Sequence, residues 1–207
     1  MEVGMEEKKR TVREWGISAE VCEVLEVLGY EPTGVEQAAI VRGKERFKAG
    51  GGGDQSGKSL TISADSTVLM LEDAAVYPEA GKTETLLYWL VAADYERVRA
   101  EFGYLAENLL KLGLPVDASK RLDPGEIVVR LRGAKRPLFL IKTKSAKDPR
   151  TLAMEGPHGI IICEAAQIDL ETFQRCYARV GPRKGWLRMS GSYEGSLGWF
   201  PGLIKAW

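Results

Sequence analysis

The sequence predicts an α/β domain in three layers, a mostly parallel central sheet flanked by helices. Three observations carry that prediction. Short apolar segments of strand character alternate with segments of helical periodicity along most of the 207 residues. Two of the apolar segments, 86–93 and 159–163, have no polar alternation, as in strands buried on both faces. Glycine is concentrated in two places, Gly50–Gly53 with Gly57, and Gly181, Gly185, Gly191, Gly195, Gly198 and Gly202. Such clustering marks special backbone rather than general flexibility.

Taken in order, residues 1–17 read as a polar lead-in. Ser18 is a suitable N-cap for a helix with Val21, Val24, Leu25 and Leu28 on one face, stopped by Gly29. Thr33-Gly34-Val35-Glu36 reads as a capping box opening a second short helix. Arg46–Ala49 is a short strand running into the first glycine cluster, and a helix runs from Gly57 to about Glu72. Leu86–Ala93 is a buried strand. Asp94 caps a long helix with the stripe Tyr95, Val98, Phe102, Leu105, Leu109 and Leu112, ended by Gly113 and Pro115. Glu126–Leu131 and Leu138–Thr143 are strands around a turn holding Gly133 and Pro137. Gly159–Cys163 is a further strand, Asp169–Val180 a helix, and Trp186–Ser190 a strand running into a small turn, Ser190-Gly191-Ser192. Cys22 and Cys176 fall on helices.

Composition narrows the function classes. Charged residues are 28 % and hydrophobic residues 44 %, the balance of a globular chain. Met1 is followed by a charged stretch without a signal-type apolar segment, and no apolar run approaches a membrane span of about 20 residues. Three scattered cysteines suit a reducing cytoplasm better than a disulfide framework, and the single histidine excludes a His-rich metal site. The 29 basic and 29 acidic residues cancel, which excludes a uniformly basic nucleic-acid binder. They are unevenly spread, however. Residues 1–36 carry nine acids and four bases, and residues 130–150 carry eight bases and one acid, a segment able to neutralise phosphates or to protect a solvated strand edge.

Gly52-Gly53-Asp54-Gln55-Ser56-Gly57-Lys58-Ser59 matches the phosphate-binding pattern G-x-x-x-x-G-K-[ST], with a strand before it and a helix after it. The glycines let the backbone curl so that successive N–H groups face phosphate oxygens, and the helix N-terminus adds its dipole. Lys58 is placed to reach the β and γ phosphates of ATP, and the Ser59 hydroxyl to ligate Mg²⁺. Glu164, at the end of the 159–163 strand, is placed to orient and deprotonate an attacking water and to help hold Mg²⁺, partly through water. The residue before it is Cys163, where an Asp would suit a hard cation better.

Together these pieces resemble the ATPase domain of phage terminase large subunits, the motors that package double-stranded DNA. Gly52–Ser59 looks like the family's Walker A, residues 88–95 like the strand-to-helix segment after it, and residues 160–166 like Walker B with its catalytic Glu. Residues 190–200 look like the coupling motif and its tail. The resemblance covers roughly residues 28–207 and implies a three-layer P-loop NTPase of the RecA-like (ASCE) kind, with residues 1–27 as lead-in and helix. It further implies that Gln37 reads adenine, that Tyr30 can stack on the base, and that Ser190, Gly191 and Ser192 couple phosphate loss to movement. With no Arg in the P-loop, Arg150 is the candidate arginine finger, offered to a neighbouring subunit of a ring. The implied partners are double-stranded DNA, the portal and prohead, the small terminase subunit and further copies of the chain, in the cytoplasm of a phage-infected or lysogenic bacterium. The nuclease domain of such proteins is expected to be absent from this chain. Two other readings compete: a helicase-like P-loop ATPase on single strands, with Trp199, Phe200 and Trp207 as stacking platforms, and a non-catalytic nucleotide-binding remnant, motivated by Cys163.

Overall fold

A computed structural model of the chain describes residues 11–53, 55–118, 124–153, 155–193 and 198–206. Its strands are β1 (Phe47–Gly52), β2 (Leu86–Ala92), β3 (Val116–Ala118), β4 (Glu126–Val129), β5 (Phe139–Ser145), β6 (Gly159–Ile162) and β7 (Trp186–Ser192). Its α-helices are α1 (Ala19–Leu28), α2 (Val35–Arg42), α3 (Lys58–Val76), α4 (Arg99–Lys111), α5 (Leu170–Val180) and α6 (Trp199–Ala206). The strands form one sheet in the order β1-β7-β6-β2-β5-β4-β3. The first five are parallel, and β4 and β3 are added antiparallel.

Alternation along the central strands sorts side chains into two layers. Tyr88, Leu90, Ala92, Ile161 and Cys163 pack with Ile62 and Met70 of α3 and Phe102, Leu105 and Leu109 of α4. Trp89, Val91, Ile160, Ile162, Leu187 and Met189 pack on the opposite face with Phe173, Cys176 and Val180 of α5 and Phe200 of α6. Val12, Ile17, Cys22, Leu25 and Leu28 form a third cluster against Ala64 and Val68 of α3, so the segment 12–28 is laid onto that helix. The middle of α3, residues 61–68, is buried all round, and Ser63, Ala64, Ser66 and Thr67 keep it slim enough to be packed from several sides. Among the described residues no helix is long and apolar enough to cross a membrane.

Several boundaries differ from the sequence expectation, each for a local reason. Ser18 caps α1 as expected, accepting from the Val21 N–H. The expected capping box does not form: Gly34 is the N-cap of α2 and no side chain caps it. Asp94 accepts from Arg97 N at 3.3 Å, but caps a 3-10 turn, Tyr95–Val98, and α4 starts after it at Arg99. Ser190-Gly191-Ser192 is not a turn. It continues β7, in register with Gly50, Gly51 and Gly52 of β1, because small residues on both strands leave the backbones free to pair. The tail aromatics are not exposed: Phe200 is fully buried and Trp199 is stacked on Phe173 with ring centroids 4.8 Å apart, while Trp207 lies outside the described residues.

One buried charge cluster fixes α3 to the sheet. Asp65 of α3 accepts from Lys48 Nζ of β1 at 2.9 Å and from Arg188 Nε of β7. The three side chains are buried, at 7 %, 3 % and 0 % exposure for Lys48, Asp65 and Arg188. Lys48 also donates to the Ile40 carbonyl at 2.5 Å, and Arg188 to the Arg46 carbonyl at 2.9 Å. Burial lowers the Lys48 pKa, which Asp65 opposes. Removing one partner of such a cluster strands the others without compensation, so Asp65→Ala is expected to lower unfolding free energy by about 3–5 kcal/mol in urea titrations. A second expectation concerns pH. His158 is buried, its Nδ1 accepts from Leu87 N at 3.0 Å, and burial together with nearby Arg183 lowers its pKa to about 4 from an ordinary 6.5. The unfolded chain therefore takes up this proton first as pH falls, so stability should drop through the window from about 6.5 to about 4. Comparison of unfolding across that window should show a shallower drop in His158→Gln.

Candidate active site

Five parallel strands point their carboxyl ends to one edge, where ligands of open α/β sheets are bound. β1 ends at Gly52, and the chain turns through Gly53 to Gly57 into the N-terminus of α3. Gln55 (φ 58) and Gly57 (φ 75) both adopt left-handed backbone, which produces the curl of an anion-binding loop. Glycine is required at 57 on two counts, because an added Cβ would also stand 2.9 Å from Gln37 Nε2. Gly52, Gly57, Lys58 and Ser59 are half-buried, and Gly53, Gln55 and Ser56 are exposed. Asp54 lies outside the described residues. Lys58 Nζ reaches back over the loop, donating to the Gly53 carbonyl at 2.5 Å and to Ser56 Oγ at 3.4 Å.

Gln37 braces this loop from α2. Its Oε1 accepts from Thr33 N at 2.9 Å and lies 3.4 Å from the Tyr30 hydroxyl oxygen, and its Nε2 donates to the Ser56 carbonyl at 2.9 Å. The Tyr30 ring is buried in the α1–α3 cluster, with its hydroxyl donating to Thr61 Oγ1 at 2.7 Å, so it is not open for stacking on a base.

β6 delivers Cys163 and Glu164 to the same edge. Glu164 is half-buried and holds φ 49, a conformation rare outside glycine, at the entry to a 3-10 turn over Ala165–Gln167. Backbone of this kind costs about 1–3 kcal/mol and persists where packing enforces it. Here the enforcement is visible: Ala165 and Ala166 are fully buried, and β7 passes directly beside them. An added Cβ at Gly191 would lie 2.8 Å from the Phe200 ring and 3.2 Å from Ala166 N. Trp199 Nε1 donates to the Ile168 carbonyl at 2.8 Å. The turn after Glu164, the end of β7 and α6 are thus one packed unit.

A residue outside the motifs sits at the centre of this edge. Glu101, in the first turn of α4, is only 1 % exposed. Its Oε1 accepts from Ser190 Oγ at 3.0 Å, and Ser59 and Cys163 lie close enough to the same carboxylate to act on it electrostatically. Burial raises the Glu101 pKa, opposed by the Ser59 and Ser190 hydroxyls. Burial and the Glu101 charge push the Cys163 thiol well above its ordinary pKa, so it is neutral. Sequence reasoning passed over Glu101 because a helix Glu usually faces water. The available signal was its position three residues after Val98, on the apolar stripe of α4.

The edge therefore collects Lys58, Ser59, Glu101, Cys163, Glu164, Ser190 and Ser192. Arg150 stands apart, in the 3-10 turn Pro149–Leu152, with a side chain 92 % exposed and paired to Asp148 at 3.1 Å. The donor set of Ser59, Glu101 and Glu164 is all oxygen and suits Mg²⁺, whereas the neutral thiol does not. Among the described residues no three His, Cys, Asp or Glu side chains are grouped to hold a metal unaided. Mg²⁺ would therefore depend on phosphate oxygens and water for most of its ligands.

The basic segment is not one patch. Arg130, Arg132, Lys135 and Arg136 lie exposed before β5, while Lys147 and Arg150 lie exposed after it. The length of β5, about 20 Å, separates the two groups. Lys144 lies between them with Nζ 5.0 Å from the Trp89 ring, and Lys142 pairs with Glu155 at 3.3 Å.

No protein-family model matches the chain, and no curated protein matches it. Solved structures do. The large terminase ATPase domain of Thermus phage P74-26 aligns at TM-score 0.60 and 23 % identity, over 81 % of this chain and 67 % of that one. The large terminase of the thermophilic bacteriophage D6E aligns at TM-score 0.60 and 13 % identity, over 78 % of this chain and 39 % of that one. The HK97 bacteriophage large terminase aligns at TM-score 0.56 and 15 % identity, over 86 % of this chain and 37 % of that one. The D6E protein has been solved with ADP and with ATP-γ-S. At these identities the likeness is one of fold: the chain has the P-loop α/β fold of terminase ATPase domains, and spans well under half of the D6E and HK97 proteins.

The contact at Gly191 gives a direct check on the packed unit. Gly191→Ala is expected to destabilise the protein by about 1–3 kcal/mol in denaturant titrations. In a Phe200→Ala background the same change should cost less, because the opposing ring is gone.

Proposed function

We propose that this chain is the ATP-binding and ATP-hydrolysing motor domain of a viral terminase large subunit, and that it drives double-stranded DNA into a prohead. The observation that carries the reading is the convergence of the loop 52–59, Glu164 and the end of β7 on one sheet edge. The fold shared with terminase ATPase domains supports it, as do the nucleotides bound by the D6E protein.

In this reading the N–H groups of residues 52–59 cradle the phosphates of ATP, and Lys58 swings from Gly53 and Ser56 to the β and γ phosphates. Ser59 and Glu164 hold Mg²⁺, the latter partly through water. When bound, Mg²⁺ neutralises charge on the transferred phosphoryl group. Glu164 orients the attacking water and takes its proton. Gln37, already bound to the loop at Ser56, is offered to the adenine edge, where a side-chain amide can pair with N6 and N7. Ser190, Gly191 and Ser192 carry the change at the phosphates into the sheet and α6. Exposed Arg150 acts on the nucleotide of a neighbouring copy in a ring on the portal, where the small terminase subunit and the DNA are the other partners. Residues 28–207 form the ATPase unit, and 1–27 an N-terminal lead-in and helix. The buried, neutral Cys163 favours a second reading, a nucleotide-binding domain with little turnover.

Two substitutions test the assignment. Lys58→Ala should abolish binding of a fluorescent ATP analogue. Glu164→Gln should bind it as well as wild type and lose about 10²–10⁴-fold in phosphate release, measured with DNA and portal present. Unchanged turnover in both variants would refute the site. Tight binding without turnover in the wild type would favour the second reading.

A further inference from the structure

Cys163 stands at the strand end where a carboxylate would help hold Mg²⁺, and its thiol is fully buried. Glu101 brings a carboxylate to that point from a different element, α4. Ser190 Oγ of β7 donates to this carboxylate at 3.0 Å, and Ser59 at the start of α3 and Cys163 at the end of β6 are its electrostatic neighbours. Among the described residues no Lys or Arg forms an ion pair with Glu101. A carboxylate buried to this degree, without an ion-pair partner, bonded by one hydroxyl and neighbouring the P-loop serine, is suited to engage a cation.

We propose that Glu101 supplies the metal-holding carboxylate that Cys163 does not, so that the Mg²⁺ of a bound nucleotide would be held by Ser59 together with Glu101, with Glu164 reaching it through the water it orients. The inference rests on the nucleotide reading above. It also gives the end of β7 a physical connection to the metal. Ser190 donates to the carboxylate that the cation would engage, so gain or loss of the cation alters the bond at Ser190. Glu101 is in this sense both a metal-holding and a positioning residue.

The test measures metal dependence of binding rather than turnover. Affinity for fluorescent ADP is measured in EDTA and again with Mn²⁺, and free Mn²⁺ is followed by its electron paramagnetic resonance signal. Glu101→Gln should weaken Mn²⁺ uptake in the presence of ADP by about 10- to 100-fold, the scale of losing one supporting ligand. The loss should be confined to the metal-dependent part of nucleotide affinity. Cys163→Asp introduced into the Glu101→Gln protein should restore uptake, because it returns a carboxylate to the strand end. Equal Mn²⁺ uptake by Glu101→Gln and wild type overturns the proposal. A second measurement needs no variant. If the thiol were the ligand, Cd²⁺ would bind far more tightly than Mn²⁺ in the presence of ADP and give a thiolate-to-metal absorption band. The proposal predicts no such nucleotide-dependent band, and its appearance overturns it. Failure of the wild type to bind ADP with Mn²⁺ as well as in EDTA would instead contradict the nucleotide reading itself, and the inference with it.

Discussion

A single carboxylate, Asp65, holds two buried cations that belong to different strands, and the geometry of the whole edge follows from it. Lys48 comes from β1 and Arg188 from β7, and Asp65 lies on α3, the helix that follows the phosphate-binding loop. One point thus sets where α3 sits against two neighbouring strands. It also sets where Lys58 and Ser59, at the start of the same helix, stand relative to the strand ends. Two positive charges against one negative would be a poor arrangement if each cation had no other partner. Carbonyl oxygens of Ile40, Arg46 and Leu187 take further donors of the two cations, Arg188 Nη2 is left without a hydrogen-bond partner among the described residues, and the guanidinium lies 5.7 Å from the Trp186 ring.

A second buried acid repeats the device nearer the edge. Arg188 and Ser190 are two residues apart on β7 and face the same layer, so the strand meets α3 through Asp65 and α4 through Glu101. The opposite side of the same strand is apolar and close-packed, with Gly191 against Phe200 and Ala166. β7 is therefore polar and hydrogen-bonded on one face and tightly fitted on the other. A change in the bonds at Ser190 has little slack to be absorbed locally.

Much of the architecture was legible because it is locally encoded. The loop 52–59, the apolar runs of β2 and β6, and the stripe of α4 each announce their element without reference to the rest of the chain. What escaped depends on partners distant in sequence. β3 is three residues long and exists through its pairing with β4. Gly191, flanked by Ser190 and Ser192, has little strand preference and reads as a turn until the glycines of β1 are placed beside it. Gly34 displaced the expected capping box, since the Thr33 N–H is engaged by Gln37 instead. Glu101 was hidden for a chemical reason. Its place on a core-facing stripe makes sense only once Ser59, Cys163 and Ser190 are seen around it, and the Cys in a position suited to Asp was the trace of it in the sequence.

In the proposed function, nucleotide at the loop 52–59 is felt through Glu101 and Ser190 by the sheet edge as a whole. Backbone amide hydrogen exchange with and without Mg-ATP-γ-S tests this most directly. Coupling through Glu101 and Ser190 would slow exchange at 53–60 together with 99–103 in α4 and 189–193 at the end of β7. Protection confined to 53–60, or located on another surface of the molecule, would contradict it.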